Sequence, residues 1–284
     1  MFDPFSSHLP ACYGVVEWGD LRRNSPAVTV PSWQEGGTPD ERGSGLGQRE
    51  AAAWIESHLE AAGALILKPI YGQGGQDIFV CRFDSEHGYC VNGEPRTAEE
   101  FASLIEGLEE NLATEFVEQA GYAEELYPAS TNTLRILTLW DYDRDEPFVA
   151  GAVHRIGTDA SAPVENWSRG GLSAEIRDDG LLSAAAGWES TAGELRWCDV
   201  HPDTGGRIEW REVPGWSAVR DRVLEMAGEF PYLPRLGWDV VITGDGEFRV
   251  LEINAHAGIK TLQVHRPHLE DPRVRRFYEY HGYA

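Results

Sequence analysis

Asp239, Glu252 and Asn254 are the oxygen-bearing residues whose spacing most invites chemistry. They stand in LGWDVVITGDGEFRVLEIN, two apolar strand-like runs joined by Asp245-Gly246. An Asp-Gly pair between such runs is the strongest short-range hairpin signal, and its type I′ turn needs positive φ at both central residues. With those two residues as the loop, Asp239 faces Glu252 across the ladder and Asn254 points to the same face. A three-residue turn would break that register. Like charges directly opposite one another destabilise a sheet, so the pair needs a reason. One is a hard divalent cation: two carboxylates and an amide suit Mg2+ (or Mn2+), which completes its octahedron with phosphates and water. The other is a solvated acidic face. Trp238, Val240, Val241, Leu251 and Ile253 weigh against the second, because a hairpin buried on one side holds stray charge at a cost. Spacing alone leaves both readings open.

Arg135 and Arg155 form a second pair, in NTLRILTLWDY and PFVAGAVHRI. A five-residue loop over 143–147 sets them opposite one another, where two guanidiniums repel unless an anion lies between them. Such a clamp would hold a carboxylate or a transferring phosphoryl group. Alternatively each arginine pairs with an acid nearby, and 47 Asp and Glu make partners plentiful. The third candidate is Lys68, one of two lysines with Lys260 among 24 basic residues. Lys68 precedes YGQGGQ, whose glycines let backbone N–H groups approach an anion while a lysine in the preceding strand reaches the same phosphates. The pattern is not that of a P-loop, and no helix follows it as in a dinucleotide loop. A plain turn with a surface lysine is the competing reading. His256, His265 and His268 have a spacing that matches no common zinc pattern, so polar surface or substrate contacts are expected of them. The ten tryptophans read as core and loop packing.

Elements must position these residues. Residues 1–46 are rich in Gly, Pro and Ser and read as an irregular segment. Trp54, Ile55, His58, Leu59 and Ala62 recur at helical spacing, with Gly63 as the stop. ALILKPI and DIFVCRF read as strands around the glycine loop. Thr97 and Glu100 form a capping box before a helix carrying Phe101, Leu104, Ile105 and Leu108 on one face. LATEFVEQ is the next strand, followed by the two long arginine-bearing ones. Pro214 opens a helix with Val219, Val223, Leu224 and Ala227 inward, and Pro272 begins a terminal helix after Asp271. Strands dominate and helices cover them, so the expected class is α+β.

Composition narrows the function. A formal charge of −23 opposes binding to nucleic acid or to an anionic membrane. No apolar run is long enough to span a bilayer, and the N-terminus lacks a signal-peptide pattern. Cys12, Cys81, Cys90 and Cys198 are scattered, without the spacing of a zinc ribbon or disulfide framework, and the expected location is cytoplasmic. Dispersed acid with arginine in place of lysine resembles halophilic proteins, in which molar salt screens self-repulsion. An ordinary acidic protein is the alternative.

Four motifs in order, ILKPIYGQGGQDI, ATEFVEQ, NTLRILTL…HRIG…N…GGL and GWDVVI…LEINAHAGI, resemble the ATP-grasp superfamily. The branch they resemble most is the sugar-transfer-associated one, related to glutamate-adding ligases. The resemblance covers roughly residues 45–284 and implies two α+β lobes gripping ATP. It implies a glycine-loop lobe over 47–120 and, over 121–284, a C-terminal lobe with the catalytic and metal site. The implied reaction is ATP- and Mg2+-dependent joining of a small-molecule carboxylate to an amine through an acyl phosphate, with cell-surface saccharide biosynthesis as the setting taken from the family label. Carried over by position, Lys68 with Gly72, Gly74, Gly75 and Gln76 corresponds to the phosphate-binding lysine and loop. Glu115, Phe116 and Val117 correspond to the adenine-reading hinge, with Glu118 available for ribose. Arg135, Arg155 and Asn166 correspond to groups around the acyl phosphate, and Asp239, Glu252 and Asn254 to the metal ligands. Lys260 has no secure equivalent in the family and is expected at the acceptor or the γ-phosphate. Many relatives carry a further lysine upstream of the glycine loop and this chain has none before Lys68, which keeps a non-catalytic ATP-binding module and a phosphotransferase as alternatives.

Overall fold

Alternation in ALILKP, with Leu65 and Leu67 fully buried and Ile66 and Lys68 only half so, sets the plan of the first folded unit. The computed structural model describes residues 3–17, 20–23, 48–71, 77–189 and 193–283. The chain divides into two compact units, Pro10–Phe116 and Met1–Leu9 with Val117–Ala284.

The unit Pro10–Phe116 contains β1 (Cys12–Glu17), β2 (Asp20–Arg23), α1 (Gln48–Ala62), β3 (Ala64–Pro69), β4 (Phe79–Asp84), β5 (Gly88–Val91), β6 (Glu94–Arg96), α2 (Ala98–Glu106) and β7 (Glu110–Glu115). The strands form one antiparallel sheet in the order β2-β1-β7-β3-β4-β5-β6. Helix α1 buries Ile55 and Leu59 and ends at Gly63, whose φ of 78° an L side chain rarely adopts. Helix α2 opens with the expected capping box: Glu100 N–H donates to Thr97 Oγ1 at 3.2 Å, and Thr97 N–H donates to Glu100 Oε2 at 2.8 Å. Such a cap stabilises by about 1 kcal/mol. Phe101 and Ile105 of α2 pack with Ile55 and Leu59 on Leu65 and Leu67. Because side chains alternate along a strand, Lys68 points to the opposite face. Within the stretch read as irregular, Cys12–Glu17 and Asp20–Arg23 are strands, and β1 pairs with β7. CYGVVE is too short and too close to glycine and proline for its period to show, yet β7 satisfies its backbone groups.

In the second unit a 3-10 helix (Asp3–His8) precedes α3 (Gly121–Glu124), β8 (Thr133–Asp141), β9 (Glu146–Ile156), β10 (Leu172–Ile176), β11 (Leu182–Glu189), β12 (Glu194–Cys198), α4 (Trp216–Gly228), β13 (Arg235–Ile242), β14 (Phe248–Asn254), α5 (Lys260–Gln263) and α6 (Pro272–Tyr280). Its sheet is antiparallel in the order β12-β11-β10-β9-β8-β13-β14. One face is mostly apolar: Leu134, Ile136, Ala152, Leu236, Trp238 and Val240 pack with Trp216, Val219, Val223, Met226 and Ala227 of α4, and the buried polar residues on it, Thr138 and His154, are hydrogen-bonded to Trp238 and Tyr122. Met226 takes the inward place expected of Leu224, which is half-buried. The other face is divided. Leu137, Leu139 and Val153 lie under Ala257, Leu262, Val274 and Phe277, whereas Thr133, Arg135, Arg155 and Asp239 continue the same face as a polar surface.

Two turns set the register of that surface. Between β8 and β9 the loop has four residues, 142–145, because Asp141 pairs with Glu146. Asp141 Oδ1 accepts the N–H groups of Asp143 and Arg144 at 3.0 and 3.3 Å, and Asp145 takes a φ of 56°. This self-capped turn is tighter than the five-residue loop expected, so Arg135 stands opposite Val153, and Thr133 opposite Arg155. The arginines are therefore diagonal neighbours on one face and not a facing pair. Between β13 and β14, Gly244 and Glu247 exchange both backbone hydrogen bonds around Asp245-Gly246. Of that pair Gly246 alone has positive φ, at 71°, so the turn is not type I′. Thr243 N–H also donates to Glu247, which offsets the ladder by one residue, and a bulge opposite the step from Asp239 to Val240 restores it. The two irregularities cancel, and Asp239 stands directly across from Glu252 as the two-residue loop predicts.

Candidate active site

Asp239, at 4% exposure, is the hub of the polar surface. Its neighbour across β8 is Arg135, and the guanidinium grips it in a fork: Nε donates to Oδ1 at 2.5 Å and an Nη donates to Oδ2 at 2.9 Å. An Nη of Arg155 also lies 3.1 Å from Asp239 Oδ1 and 2.8 Å from Glu165 Oε1. Thr133 completes the circuit by donating to Glu165 at 2.9 Å and accepting from Arg155 at 2.8 and 3.0 Å. Burial opposes the charge of Arg155, but Asp239, Glu165 and Glu252 more than offset it, and its pKa stands above the ordinary arginine value. The anion between the arginines is thus supplied by the protein itself. Such charge-assisted, bidentate contacts are the strong class of hydrogen bond.

Glycines and one asparagine hold this circuit in place. Asn132, 2% exposed, donates to the carbonyls of Ala123 and Tyr127 at 2.9 and 2.8 Å and accepts Gly157 N–H at 2.9 Å, tying the start of β8 to the end of β9. A Cβ on Gly157 would meet Ser130 Oγ at 2.0 Å, and one on Gly171 would meet the Glu165 carbonyl at 2.6 Å. The glycine in HRIG therefore leaves room for the Ser130 and Tyr127 side chains, and the second in GGL admits the close approach of the Glu165 backbone. Gly237 has the same role beside Asn254: its added Cβ would lie 2.2 Å from Ala257 Cβ. Its bareness lets the segment after β14 fold back over the sheet, where Arg235 donates to the Ala257 carbonyl at 2.5 Å.

Glu252 is exposed and Asn254 half-buried, both on the Asp239 face of β14. Among the described residues neither side chain has a hydrogen-bond or ion-pair partner, so their oxygens are available to a hard cation. Asp239 differs, since three N–H contacts fill most of the roughly four lone-pair sites a carboxylate offers. Among the described residues no group of three or more His, Cys, Asp or Glu could hold a metal ion. The donor set here is two carboxylates and an amide. Asn166 accepts Ser168 N–H at 2.9 Å, capping the 3-10 turn Trp167–Arg169 next to Glu165. Lys260 is exposed at the start of α5.

The remaining candidates belong elsewhere in the chain. Lys68 and Glu115 stand on β3 and β7 of the first unit, where Glu115 Oε2 accepts Ala11 N–H at 3.0 Å and the Arg82 guanidinium lies 4.3 Å over the Phe116 ring. The division between the two units falls between Phe116 and Val117, inside the expected hinge, and Glu118 is exposed. Gly72, Gly74, Gly75 and Gln76 lie outside the described residues. His256 is exposed, while burial lowers the pKa of His268 and lowers that of His265 to about 4. Trp188, Trp197 and Trp210 are exposed at 39%, 51% and 55%, against the rings of Trp167 and His265 and the guanidinium of Arg177, so they pack at the surface and not in the core. Sequence reasoning missed Thr133, Glu165 and Asn132. Thr133 and Asn132 adjoin Arg135 in NTLR, but Glu165 is brought to Arg155 only by the loop around Gly171.

The family model described as "Sugar-transfer associated ATP-grasp" matches residues 8–274. The chain belongs to this ATP-grasp family. No functionally curated protein matches it. Solved structures similar to it include the ATP-grasp ligase PsnB complexed with a minimal precursor, at 16% identity and a TM-score of 0.39, covering 79% of this chain and 52% of that one. Another is a RiPP-associated ATP-grasp ligase of Chryseobacterium gregarium in complex with ADP and a leader and core peptide, at 11% identity and a TM-score of 0.41, covering 81% and 52%. A third is an L-amino acid ligase from Bacillus licheniformis, at 13% identity and a TM-score of 0.33, covering 69% and 32%. The chain thus spans about half the length of the first two. No described helix is long and apolar enough to cross a membrane.

Proposed function

We propose that this protein is an ATP- and Mg2+-dependent ligase that activates a carboxylate as an acyl phosphate and passes the acyl group to an amine. The observation that carries the reading is the convergence of Arg135 and Arg155 on one buried carboxylate, directly across from Glu252, in a chain of the ATP-grasp family. In this reading Lys68 and the loop Gly72–Gln76 bind the nucleotide phosphates, and Glu115–Glu118 hold adenine and ribose. We assign that task to the lobe 47–120 and the chemistry to 121–284. A substrate carboxylate oxygen attacks the γ-phosphorus and ADP leaves; the amine then attacks the acyl carbon, phosphate leaves and the amine loses a proton. Arg135 and Arg155 stabilise the negative charge on the transferring group, aligned beforehand by Asp239, Glu165 and Thr133. Asn166 contributes a polar contact beside them, and Lys260 meets the acceptor or the γ-phosphate. Glu252 and Asn254, with Asp239, would hold Mg2+, which when bound neutralises phosphate charge.

The test is ADP release with ATP, Mg2+ and a panel of acids and amines. ADP formed only with both acceptors supports the ligase, and ADP formed with the acid alone supports a phosphotransferase. ATP bound without turnover across the panel supports a non-catalytic module. Glu252→Ala should abolish Mg2+-dependent turnover, and wild-type rates would remove Glu252 from the site.

A further inference from the structure

We propose that Asp239 is a carboxylate shared by competition: Arg135 and Arg155 hold it until a divalent cation claims it, and losing it frees both guanidiniums for an anion. The inference rests on the cation reading above and adds to it a coupling between two sites that spacing treats as independent. Oδ1 of Asp239 accepts from Arg135 Nε at 2.5 Å and lies 3.1 Å from an Nη of Arg155, while Oδ2 accepts from the second fork of Arg135 at 2.9 Å. A metal–oxygen bond of about 2.1 Å to either oxygen would bring two positive charges within a few ångströms of each other in a little-hydrated place. Asp239 therefore cannot serve both partners at full strength. Among the described residues Glu252 and Asn254 are hydrogen-bonded to neither guanidinium, and Glu252 acts on Arg155 only through its charge, so they can engage a cation first. Glu165 also stays with Arg155, at 2.8 Å, and Thr133 keeps its contacts to the same guanidinium, so Arg155 remains anchored after losing Asp239. Among the described residues Arg135 has no second carboxylate and would turn wholly to the incoming anion.

Two consequences separate this exchange from a purely structural ion pair. The cation should bind weakly while the arginines have no other anion. Removing the fork of Arg135 should then strengthen cation binding, although it removes a contact and should impair turnover. Mn2+ binding is measured by electron paramagnetic resonance on the whole protein without nucleotide, for wild type, Arg135→Gln and the double variant Arg135→Gln/Asp239→Asn. Arg135→Gln should bind Mn2+ about tenfold more tightly than wild type, a coupling of ordinary size, and the double variant should lose the gain. Equal or weaker binding by Arg135→Gln would overturn the exchange while leaving the cation site standing. Absence of Mn2+ binding by every protein, with and without a non-hydrolysable ATP analogue, would overturn the cation reading and the exchange with it. Should Arg135→Gln fail to fold, the Arg135 Nε–H resonance of the wild type decides. It should move when Mg2+ and the analogue are added together, and a signal that stays in place at saturation refutes the proposal.

Discussion

Replacing Gly237 by alanine tests whether the segment after β14 is seated on the sheet as described. The added methyl would start 2.2 Å from Ala257 Cβ, and carbon atoms rest at about 3.5–4.0 Å, so one side must yield by roughly 1.5 Å. Strand β13 is held between β8 and β14 and cannot move, so the 255–259 segment must lift. Overpacking of this kind costs about 1–3 kcal/mol. Lifting Ala257 also removes the acceptor of Arg235, whose buried Nε already lacks a partner, and a hydrogen bond to a charged group contributes about 1.5–3 kcal/mol. The two losses overlap, and the expected destabilisation is about 3 kcal/mol. Urea unfolding followed by tryptophan fluorescence measures it. Gly258→Ala is the control, because its Cβ would meet nothing within 4 Å and its φ is not positive, so it should stay within about 0.5 kcal/mol of wild type. If Gly237→Ala behaves like Gly258→Ala, Ala257 does not sit on Gly237 and the account of how Asn254 and Lys260 are placed fails.

Lys68→Ala should raise the ATP dissociation constant by an order of magnitude or so, since a single phosphate-directed charge-assisted contact contributes about 1.5–3 kcal/mol; unchanged binding by calorimetry would return Lys68 to the surface. His154 is fully buried, with Nε2 3.0 Å from the Tyr122 hydroxyl, and burial lowers its pKa from 6.5 to about 4. The unfolded chain then binds the proton more readily, so its contribution is complete above pH 6.5 and declines as pH falls toward 4, by up to about 3 kcal/mol. His154→Gln should flatten the stability profile across that window, and an unaltered slope would refute the assignment. With a net charge of −23, raising KCl from about 0.1 to 1 M, which shortens the screening length from about 10 to 3 Å, should raise the melting temperature; a flat response would mean that self-repulsion does not limit stability.

Periodicity and turn chemistry marked most elements, because each such signal is local. The i, i+4 spacing of Ile55 and Leu59 marks α1, the Thr97–Glu100 box marks the start of α2, and Asp271-Pro272 marks the start of α6. The facing of Asp239 and Glu252 was legible for a less secure reason, since two ladder irregularities offset one another. The same argument failed at Arg135 and Arg155, where Asp141 closes a shorter turn with its own carboxylate and a bulge intervenes before the arginines. Strand β1 was hidden because a short run gains its strand character from the partner it meets.

By itself the sequence determined the class of fold, the family, and which residue types stand on the strands that carry the candidate site. Alternation and capping depend only on neighbours a few residues apart. Tertiary structure alone decided that Arg135 and Arg155 share Asp239, that Glu165 and Thr133 complete the circuit, and that Gly237 makes room for Ala257. Those are distances between side chains far apart in the chain, set by register, bulges and close backbone approach, and no local pattern encodes them.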